Sequence, residues 1–175
     1  MTERGKKNLR VIQTAIDDVA KTVDRMGRFA RAKDDPDHQQ LTDVNQVCEE
    51  VMDLTRVRWE DMAHKQGIQV HMKPQLGPDL PLLMMSETEL REILTNLIFN
   101  AVDAMPDGGS ISLATRLERK ADHDQVVIEI RDSGVGMNEE TLRRCMEPFY
   151  TTKGERGTGL GLAMVYGIVK RMRGT

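Results

Sequence analysis

The segment GERGTGLGLAMVYGIVKR, residues 154–171, most constrains the fold of this chain. Four glycines fall within its first eight residues, and a run of helix-forming residues follows at once. Because ordering glycine costs conformational entropy, a glycine cluster directly before a helix indicates a backbone that approaches something closely. A helix N-terminus offers free N–H groups to phosphate. The segment therefore predicts a phosphate-binding turn, and a flexible loop in front of a helix remains the alternative.

The composition narrows the classes of protein to which the chain can belong. Its 175 residues suffice for one domain, or for one domain plus an appendage, and 39% of them are apolar. Lys and Arg number 25 against 28 Asp and Glu, so a net charge of −3 gives no general attraction for nucleic acid. Cys48 and Cys145 form no disulfide framework, and no signal peptide or long apolar run occurs. We expect a globular cytoplasmic domain, although a longer parent protein could be anchored in a membrane.

The first part of the chain predicts a long helix over residues 5–33. Its apolar residues recur at alternating spacings of three and four, as in a coiled-coil seam: Leu9, Ile12, Ile16, Val19, Val23, Met26 and Ala30. The run ends before Pro36, because proline disfavours helix at the residue that precedes it. Such a stripe predicts a partner helix, and packing on its own domain remains the alternative.

Three elements are expected between residues 42 and 85. A helix should begin at Thr42 or Asp43, end near Gly67, and bury four apolar residues: Val44, Val47, Val51 and Leu54. Residues 68–72 alternate as a strand does, and the apolar run 82–85 predicts a second strand that is short and buried.

The next helix starts at a capping box. In SETE, residues 86–89, Ser86 and Glu89 can satisfy the first free N–H groups of a helix. One face is apolar and predicts core, with Leu90, Ile93, Leu94, Leu97, Ile98 and Ala101. A second stripe is polar and places four side chains within reach of one ligand, namely Glu92, Asn96, Asn100 and Asp103. Asparagine is not favoured inside helices, so this stripe indicates a binding site, with a solvated surface as the alternative.

Two strands and a glycine-bearing turn follow the helix. Ile111 to Leu117 and Val126 to Ile130 alternate as two strands of a hairpin. The second strand runs into DSGVGM, residues 132–137, where Asp132 would sit at a strand end beside Gly134 and Gly136. An ordinary turn is the alternative for that motif. Asn138 is expected to cap a short helix that continues to about residue 144, and residues 145–157 predict a loop.

The order of these segments is more specific than any one of them. ELREILTNLIFNAVDAM, DSGVGM, EPFYTTK and GTGLGL resemble the N, G1, F and G2 boxes of the sensor histidine kinases. That group lies within the superfamily of gyrase B, chaperone, histidine kinase and mismatch-repair ATPases. The resemblance covers about residues 40–175 and implies a Bergerat-type fold, an α/β two-layer sandwich in which helices face a mixed sheet of about four strands. It also divides the chain into a partial dimerisation-hairpin helix, 1–35, and an ATP-binding catalytic domain, 36–175.

The resemblance implies an ATP site with Mg²⁺. Asn100 matches the asparagine that holds the metal, Asp132 matches the carboxylate that binds the adenine amino group, and Asp103 matches a site-facing position. Gly134 and Gly136 would let the base approach. The G2 box would close over the triphosphate with Gly157, Thr158, Gly159, Leu160 and Gly161. The loop from Met146 would be the ATP lid, with Phe149 at its hinge and Lys153 as a phosphate contact.

One position bears on the reaction. Where the hydrolases of the superfamily carry a glutamate that activates water, this chain has Asn96, and an amide cannot act as that base. The resemblance therefore implies phosphoryl transfer to a histidine, with Asn96 and Glu92 as candidate catalytic residues. A nucleotide-dependent binding module or one half of a split kinase remains the alternative.

Two departures from the family pattern affect this expectation. None of the four histidines, His38, His64, His71 and His123, lies in the H-E-x-x-x-P-like context of a phosphoacceptor. The two strands that normally follow the last helix have no counterpart before Thr175. We therefore expect the acceptor helix, a response-regulator receiver domain and a second copy of the parent protein as partners, with part of the kinase supplied elsewhere.

Overall fold

The computed structural model describes residues 39–154, 157–172 and 174, without the side chains of residues 58 and 60–66. The expected coiled-coil helix and the domain boundary after residue 35 lie outside these residues. The described elements, in chain order, are β1 (Gln40–Thr42), α1 (Val44–Gln66), β2 (Val70–Leu76), β3 (Leu83–Met85), α2 (Glu87–Asp103), β4 (Gly109–Arg119), β5 (Asp124–Asp132), α3 (Glu139–Arg144) and α4 (Gly161–Arg171).

The strands form two sheets in the described part of the chain. β2 pairs in parallel with β4, which pairs antiparallel with β5, so the larger sheet has three strands and is mixed. β1 and β3 form a separate antiparallel pair. The expected mixed sheet of about four strands is thus a three-stranded sheet with a two-stranded one beside it, because β3 returns to the strand that precedes α1.

The main hydrophobic core fills the space between the larger sheet and helices α1 and α2. It contains Val44, Val47, Cys48, Val51, Val70, Leu90, Leu94, Ile98, Ala101, Val102, Met105, Ile111 and Leu113. A second cluster joins α2 to α4 through Ile93, Val165 and Ile168, with Leu97 packed against it. The two-layer α/β fold is therefore confirmed, and α2 lies at its centre because both clusters use that helix.

The capping residues are where the sequence predicts them. The Ser86 side chain accepts a hydrogen bond from the N–H of Glu89, 3.3 Å away, and so caps α2. The Asn138 side chain accepts from the N–H of Thr141 at 2.8 Å and caps α3. Each cap satisfies a backbone donor that has no partner within its helix.

Two predictions about burial are wrong. Leu54 is 69% exposed, and Thr55 takes the buried position on α1 instead, because its hydroxyl donates to the carbonyl of Val51 at 2.7 Å. The strand at residues 82–85 is not buried throughout, since Leu82 and Met84 are more than half exposed. Successive residues of β3 point to opposite sides, so only Leu83 and Met85 reach the core.

Strand β2 differs from its predicted span of residues 68–72. It begins at Val70 and continues to Leu76 because it pairs with β4 over that whole length. Pro74 is tolerated inside it because β2 is an edge strand, where a missing N–H need not break the ladder.

The Cys48 thiol is part of the core and not a reactive group. Burial, with smaller contributions from the nearby charges of Glu49 and Asp43, raises its pKa to about 12. The thiol is therefore neutral at physiological pH, and both cysteines are free. Among the described helices, none combines the length and the apolar character that crossing a membrane requires.

Candidate nucleotide-binding site

Three parts of the chain meet at the C-terminal half of α2. The turn after β5 contacts its end, because the N–H of Val135 donates to the carbonyl oxygen of Ala104 at 3.0 Å. The first residue of α4 contacts its side, since a Cβ atom added to Gly161 would lie 3.3 Å from Oδ1 of Asn96. The loop before α4 reaches it through Lys153. Segments far apart in the sequence thus surround one polar stripe.

The polar stripe of α2 lies on the side of the helix that faces these segments. Asn96 and Asn100 are both half-buried, and Nδ2 of Asn96 donates to the backbone carbonyl of Glu92 at 2.9 Å. This hydrogen bond fixes the Asn96 amide, whose Oδ1 is the atom next to Gly161. Glu92 is half-buried one turn earlier on the same helix. The helical period therefore places the four predicted residues on one stripe.

Lys153 bridges the end of this stripe to the loop. Its Nζ donates to Oδ1 of Asn100 at 3.0 Å and to Oδ2 of Asp103 at 2.8 Å. The Lys153 and Asp103 side chains are 38% and 32% exposed, so the ion pair is partly screened by solvent. These two oxygens therefore accept a cation in the structure, which is the property that a metal site requires.

Asp132 stands at the end of β5 with its carboxylate exposed. Its Oδ1 accepts a hydrogen bond from the N–H of Gly134 at 2.8 Å. Ser133 fixes the strand end, because its hydroxyl accepts from the N–H of Ser110 at 2.9 Å and its own N–H donates to the carbonyl of Ser110. Only glycine fits at 134, since a Cβ there would lie 2.5 Å from the carbonyl oxygen of Ala104.

The glycine-rich segment closes against the start of the loop. The carbonyl oxygen of Gly159 accepts from the N–H of Phe149 at 2.9 Å, and Gly159 has a φ of +64°. A Cβ on Gly159 would lie 2.3 Å from the carbonyl carbon of Phe149, so the close approach requires glycine. The expected hinge at Phe149 is therefore a backbone contact, and its side chain is 59% exposed.

The N-terminus of α4 lacks a side-chain cap. Leu160 is the N-cap residue, is 2% exposed, and makes no side-chain hydrogen bond to the helix. The first N–H groups of α4, which begins at Gly161, therefore lie beside Asn96 and Asn100 and have no capping side-chain bond from Leu160. A helix start of this kind is suited to an anion such as phosphate.

The remaining predicted residues lie in the segment before α4 and in the turn after β5. Gly157 lies against the loop, because a Cβ there would meet the hydroxyl oxygen of Thr151 and the Cβ of Lys153. Thr158 follows it and is half-buried. Gly136, in the turn after β5, has a φ of +69° and open space around it, so its backbone conformation and not a contact with the described residues requires glycine.

The chemistry of the donors fits a magnesium ion held jointly with a nucleotide. Among the described residues, no three His, Cys, Asp or Glu side chains form a metal cluster. Magnesium usually keeps several waters and takes one or two protein oxygens in addition to the phosphates. The Asn100 oxygen, with the Asp103 carboxylate beside it and a cationic group already on both, matches that sparse requirement.

Sequence reasoning missed the contacts that hold the base of the loop to α3. The Arg144 guanidinium lies 4.2 Å from the centre of the Tyr150 ring and donates to Glu147 at 3.0 Å. The Tyr150 hydroxyl donates to the Thr141 hydroxyl at 3.3 Å. The Arg144–Glu147 pair has the i,i+3 spacing of a local ion pair, but no spacing rule predicts the contacts of Tyr150, because they form only after the chain turns at residues 145–148.

Comparison with known families identifies this arrangement. Residues 85–175 match the family model described as histidine kinase-, DNA gyrase B-, and HSP90-like ATPase. The chain belongs to this ATPase family. The matched residues contain all of α2, the end of β5 and the start of α4, so the family match covers every element of the site.

Several relatives of this chain are named as kinases or as sensor proteins. Sporulation kinase E of Bacillus subtilis is 37% identical over 75% of this chain and 16% of its own length. Sensor kinase CckA of Brucella abortus is 39% identical over 71% of this chain and 15% of its own length. The C4-dicarboxylate transport sensor protein DctB of Pseudomonas aeruginosa is 32% identical over 99% of this chain and 27% of its own length. The ATPase domain thus spans about a sixth to a quarter of these relatives.

Solved structures share the fold of the ATPase domain. Full-length ShkA in complex with AMPPNP has a TM-score of 0.78 at 22% identity, over 99% of this chain and 35% of that chain. The catalytic domain of the histidine kinase ThkA has a TM-score of 0.61 at 22% identity, over 77% of this chain and 80% of that one. The expected family and fold class are therefore confirmed.

Proposed function

We propose that this chain is the ATP-binding catalytic part of a sensor histidine kinase. It would transfer the γ-phosphate of Mg·ATP to a histidine on an acceptor helix. The names of the relatives support the kinase role, because Sporulation kinase E and Sensor kinase CckA match over more than two thirds of this chain. The activity of a complete kinase is part of the proposal, since the chain spans only a fraction of those proteins.

The observation that carries this proposal is the convergence of three groups. The uncapped N-terminus of α4, the Asn100 amide and the Lys153 ammonium all lie at the same end of the α2 stripe. Helix dipole, metal-binding oxygen and cation are complementary to a triphosphate that carries a divalent metal. We assign the phosphates to Gly157, Thr158, Gly159, Leu160 and Gly161, with Lys153 as a further contact.

The base would bind at the other end of the site. We assign the adenine amino group to the Asp132 carboxylate, which uses Oδ1 for the N–H of Gly134 and keeps further acceptor positions. Gly134, which lets the turn pack on Ala104, and Gly136, with open space around it, would let the ring approach this turn. Asp103, whose Oδ2 accepts from Lys153, would lie beside the metal and the phosphates. Asn100 would hold Mg²⁺, which neutralises phosphate charge and orients the transferred group.

The residue beside the phosphate-binding helix favours transfer over hydrolysis. Asn96 has its Nδ2 bound to the carbonyl of Glu92, and an amide cannot remove a proton from water. Glu92 is one turn farther from the start of α4, and we assign it a secondary role in orienting a proton acceptor. Positioning of the acceptor histidine and charge stabilisation would then account for catalysis.

We propose that the acceptor and the other partners lie outside the described site. His71 lies on β2 and His123 in the β4–β5 loop, and His64 lies near the end of α1 but not in an H-E-x-x-x-P-like context. We propose that residues 1–35 form part of the dimerisation hairpin, that residues 36–175 form the catalytic domain, and that a receiver domain takes the phosphate. We propose a cytoplasmic location, and the two free cysteines support it because they suit a reducing compartment.

A transfer assay tests this proposal. The chain is incubated with γ-labelled ATP and Mg²⁺, alone and with a helical hairpin that carries an H-E-x-x-x-P acceptor. We expect label on the hairpin only, labile to acid and stable to base. A hairpin with that histidine replaced by glutamine is the matched control and should stay unlabelled.

The other outcomes separate the alternatives. Binding of an ATP analogue without any transfer would favour a nucleotide-dependent binding module. Steady phosphate release without a phosphoprotein would place the chain among the hydrolases despite Asn96. Self-labelling that survives replacement of all four histidines would contradict the proposed chemistry.

A further inference from the structure

The Lys153 ammonium occupies both oxygens that the proposed metal site offers. It lies 3.0 Å from Oδ1 of Asn100 and 2.8 Å from Oδ2 of Asp103, residues that are 53 and 50 positions away in the sequence. These contacts link the loop before α4 directly to the polar stripe of α2. Lys153 is therefore more than a solvated loop lysine.

The backbone around Lys153 holds its side chain in this direction. The N–H of Lys153 donates to the hydroxyl of Thr151 at 3.1 Å. Gly157 packs against the same two residues so tightly that a Cβ on it would lie 2.2 Å from the Thr151 hydroxyl oxygen and 2.9 Å from the Lys153 Cβ. The loop thus folds back so that Gly157 contacts Thr151 and Lys153 next to the lysine side chain.

We infer that Lys153 is an internal counter-cation that competes with Mg²⁺ for Asn100 and Asp103. An ammonium 3.0 Å from the Asn100 oxygen disfavours a divalent cation on the same oxygen, because two positive charges that close repel each other. Metal that arrives with a nucleotide must displace the ammonium. This inference rests on the proposed nucleotide-binding function and adds an exchange of cations to it.

The exchange has a consequence for the loop. While Lys153 is bound to α2, its charge neutralises Asp103 and the loop is tied to the helix. Once displaced, the ammonium is free to contact the γ-phosphate of ATP, a group that ADP lacks. Metal binding would therefore be coupled to a change in the contacts of the loop, and the coupling can be measured without any transfer of phosphate.

The test compares ADP affinity with Mg²⁺ and with EDTA, by calorimetry on the whole chain. The quantity of interest is the dissociation constant in EDTA divided by that with Mg²⁺, which measures the enhancement by the metal. ADP is the probe because it lacks the γ-phosphate, so a contact of Lys153 with that group cannot contribute to the ratio. We expect Lys153→Met to raise the enhancement by Mg²⁺ about two- to fivefold, as the loss of a partly exposed ion pair predicts. Lys170→Met, which removes a charge on α4 away from the stripe, should leave the ratio unchanged.

A second variant removes the other member of the Lys153–Asp103 ion pair. Asp103→Asn removes the charge partner, and adding Lys153→Met to it should change the ratio less than Lys153→Met does alone. If the wild type binds ADP normally but the enhancement by Mg²⁺ is unchanged or smaller in Lys153→Met, the competition is contradicted while the proposed function stands. Absence of nucleotide binding by the wild type would overturn the proposed function and this inference together.

Discussion

At the residue scale, the Asp132 side chain combines a local and a functional role. Its Oδ1 accepts the N–H of Gly134 and so shapes the turn after β5, and the rest of the exposed carboxylate stays open to a ligand. A substitution that keeps the hydrogen bond to Gly134 and changes the group offered to a ligand can therefore separate these two roles. Asparagine does so, because its Oδ1 can still accept from Gly134 and its Nδ2 turns an acceptor into a donor.

We predict that Asp132→Asn weakens ADP binding roughly five- to hundredfold. The reason is that an amide donor would face the adenine amino group, which leaves buried donors unpaired at a cost of about 1 to 3 kcal/mol. Titration with a fluorescent ADP derivative measures the change. Asp124→Asn, at the opposite end of β5, is the matched control. Equal affinities of Asp132→Asn and the wild type would exclude Asp132 from the site.

Residue-scale prediction from the sequence depended on periodicity. The alignment of Asn96, Asn100 and Asp103 follows from the helical period once the capping box at Ser86 fixes the start of α2. The contact of Lys153 with Asn100 and Asp103 could not be predicted in the same way. It spans about 50 residues and depends on how the loop folds back over the helix.

At the element scale, the loop and the segment before α4 depend on glycines for their backbone conformation and close contacts. Gly159 has a positive φ and touches the Phe149 carbonyl, whereas Gly154 has a φ of +57° with nothing within 4 Å of its missing Cβ. Both glycines carry the same backbone strain if replaced, but only Gly159 also lacks space. Substitutions at Gly159 and Gly154 therefore separate the effect of close packing from the effect of backbone conformation.

We predict that Gly159→Ala weakens ATP binding much more than Gly154→Ala does. The added methyl group of Gly159→Ala must push Phe149 away, which moves the start of α4 relative to Asn96 and Asn100. The strain that both variants share costs about 1 to 2 kcal/mol. Equilibrium binding of an ATP analogue and a urea unfolding curve should be measured for each variant. Equal losses in the two variants would show that the contact with Phe149 does not position the site.

Element types were predictable from the sequence, and their ends and exposed faces were less so. The cap residues Ser86 and Asn138 located two helix starts because their side chains act within one turn. The length of β2 was mispredicted because pairing with β4, and not alternation, sets it. Leu54 and Met84 were placed in the core although tertiary packing covers neither of them.

At the scale of the whole molecule, α2 connects the two hydrophobic clusters. Leu94 and Ile98 pack into the main core beneath the sheet, and Ile93 packs against Val165 and Ile168 of α4. The sheet that carries Asp132 and the helix that carries Gly161 thus both pack against α2. The site is assembled from distant segments because each of them packs on α2.

The same packing explains how far the sequence could define the site. The N, G1 and G2 boxes contain the residues that we propose for the nucleotide site, and the order of the boxes predicts the family that the comparison confirms. The proposed exchange of Lys153 for a metal could not be predicted from any of the boxes. It depends on the position of the loop over α2, which only the assembled fold supplies.

The measurement that tests the central claim most directly is calorimetric titration of the whole chain and of Asn100→Ala with Mg·ATP and Mg·ADP. We predict one site in the wild type. Asn100→Ala should weaken Mg·ATP roughly tenfold or more, and weaken Mg·ADP less, because a hydrogen-bonding or metal-binding group beside the charged phosphates is lost. Alanine favours helix more than asparagine does, so unfolding of α2 would not explain the loss. A wild type that binds neither nucleotide, or an Asn100→Ala variant that binds both as tightly as the wild type, would contradict the account.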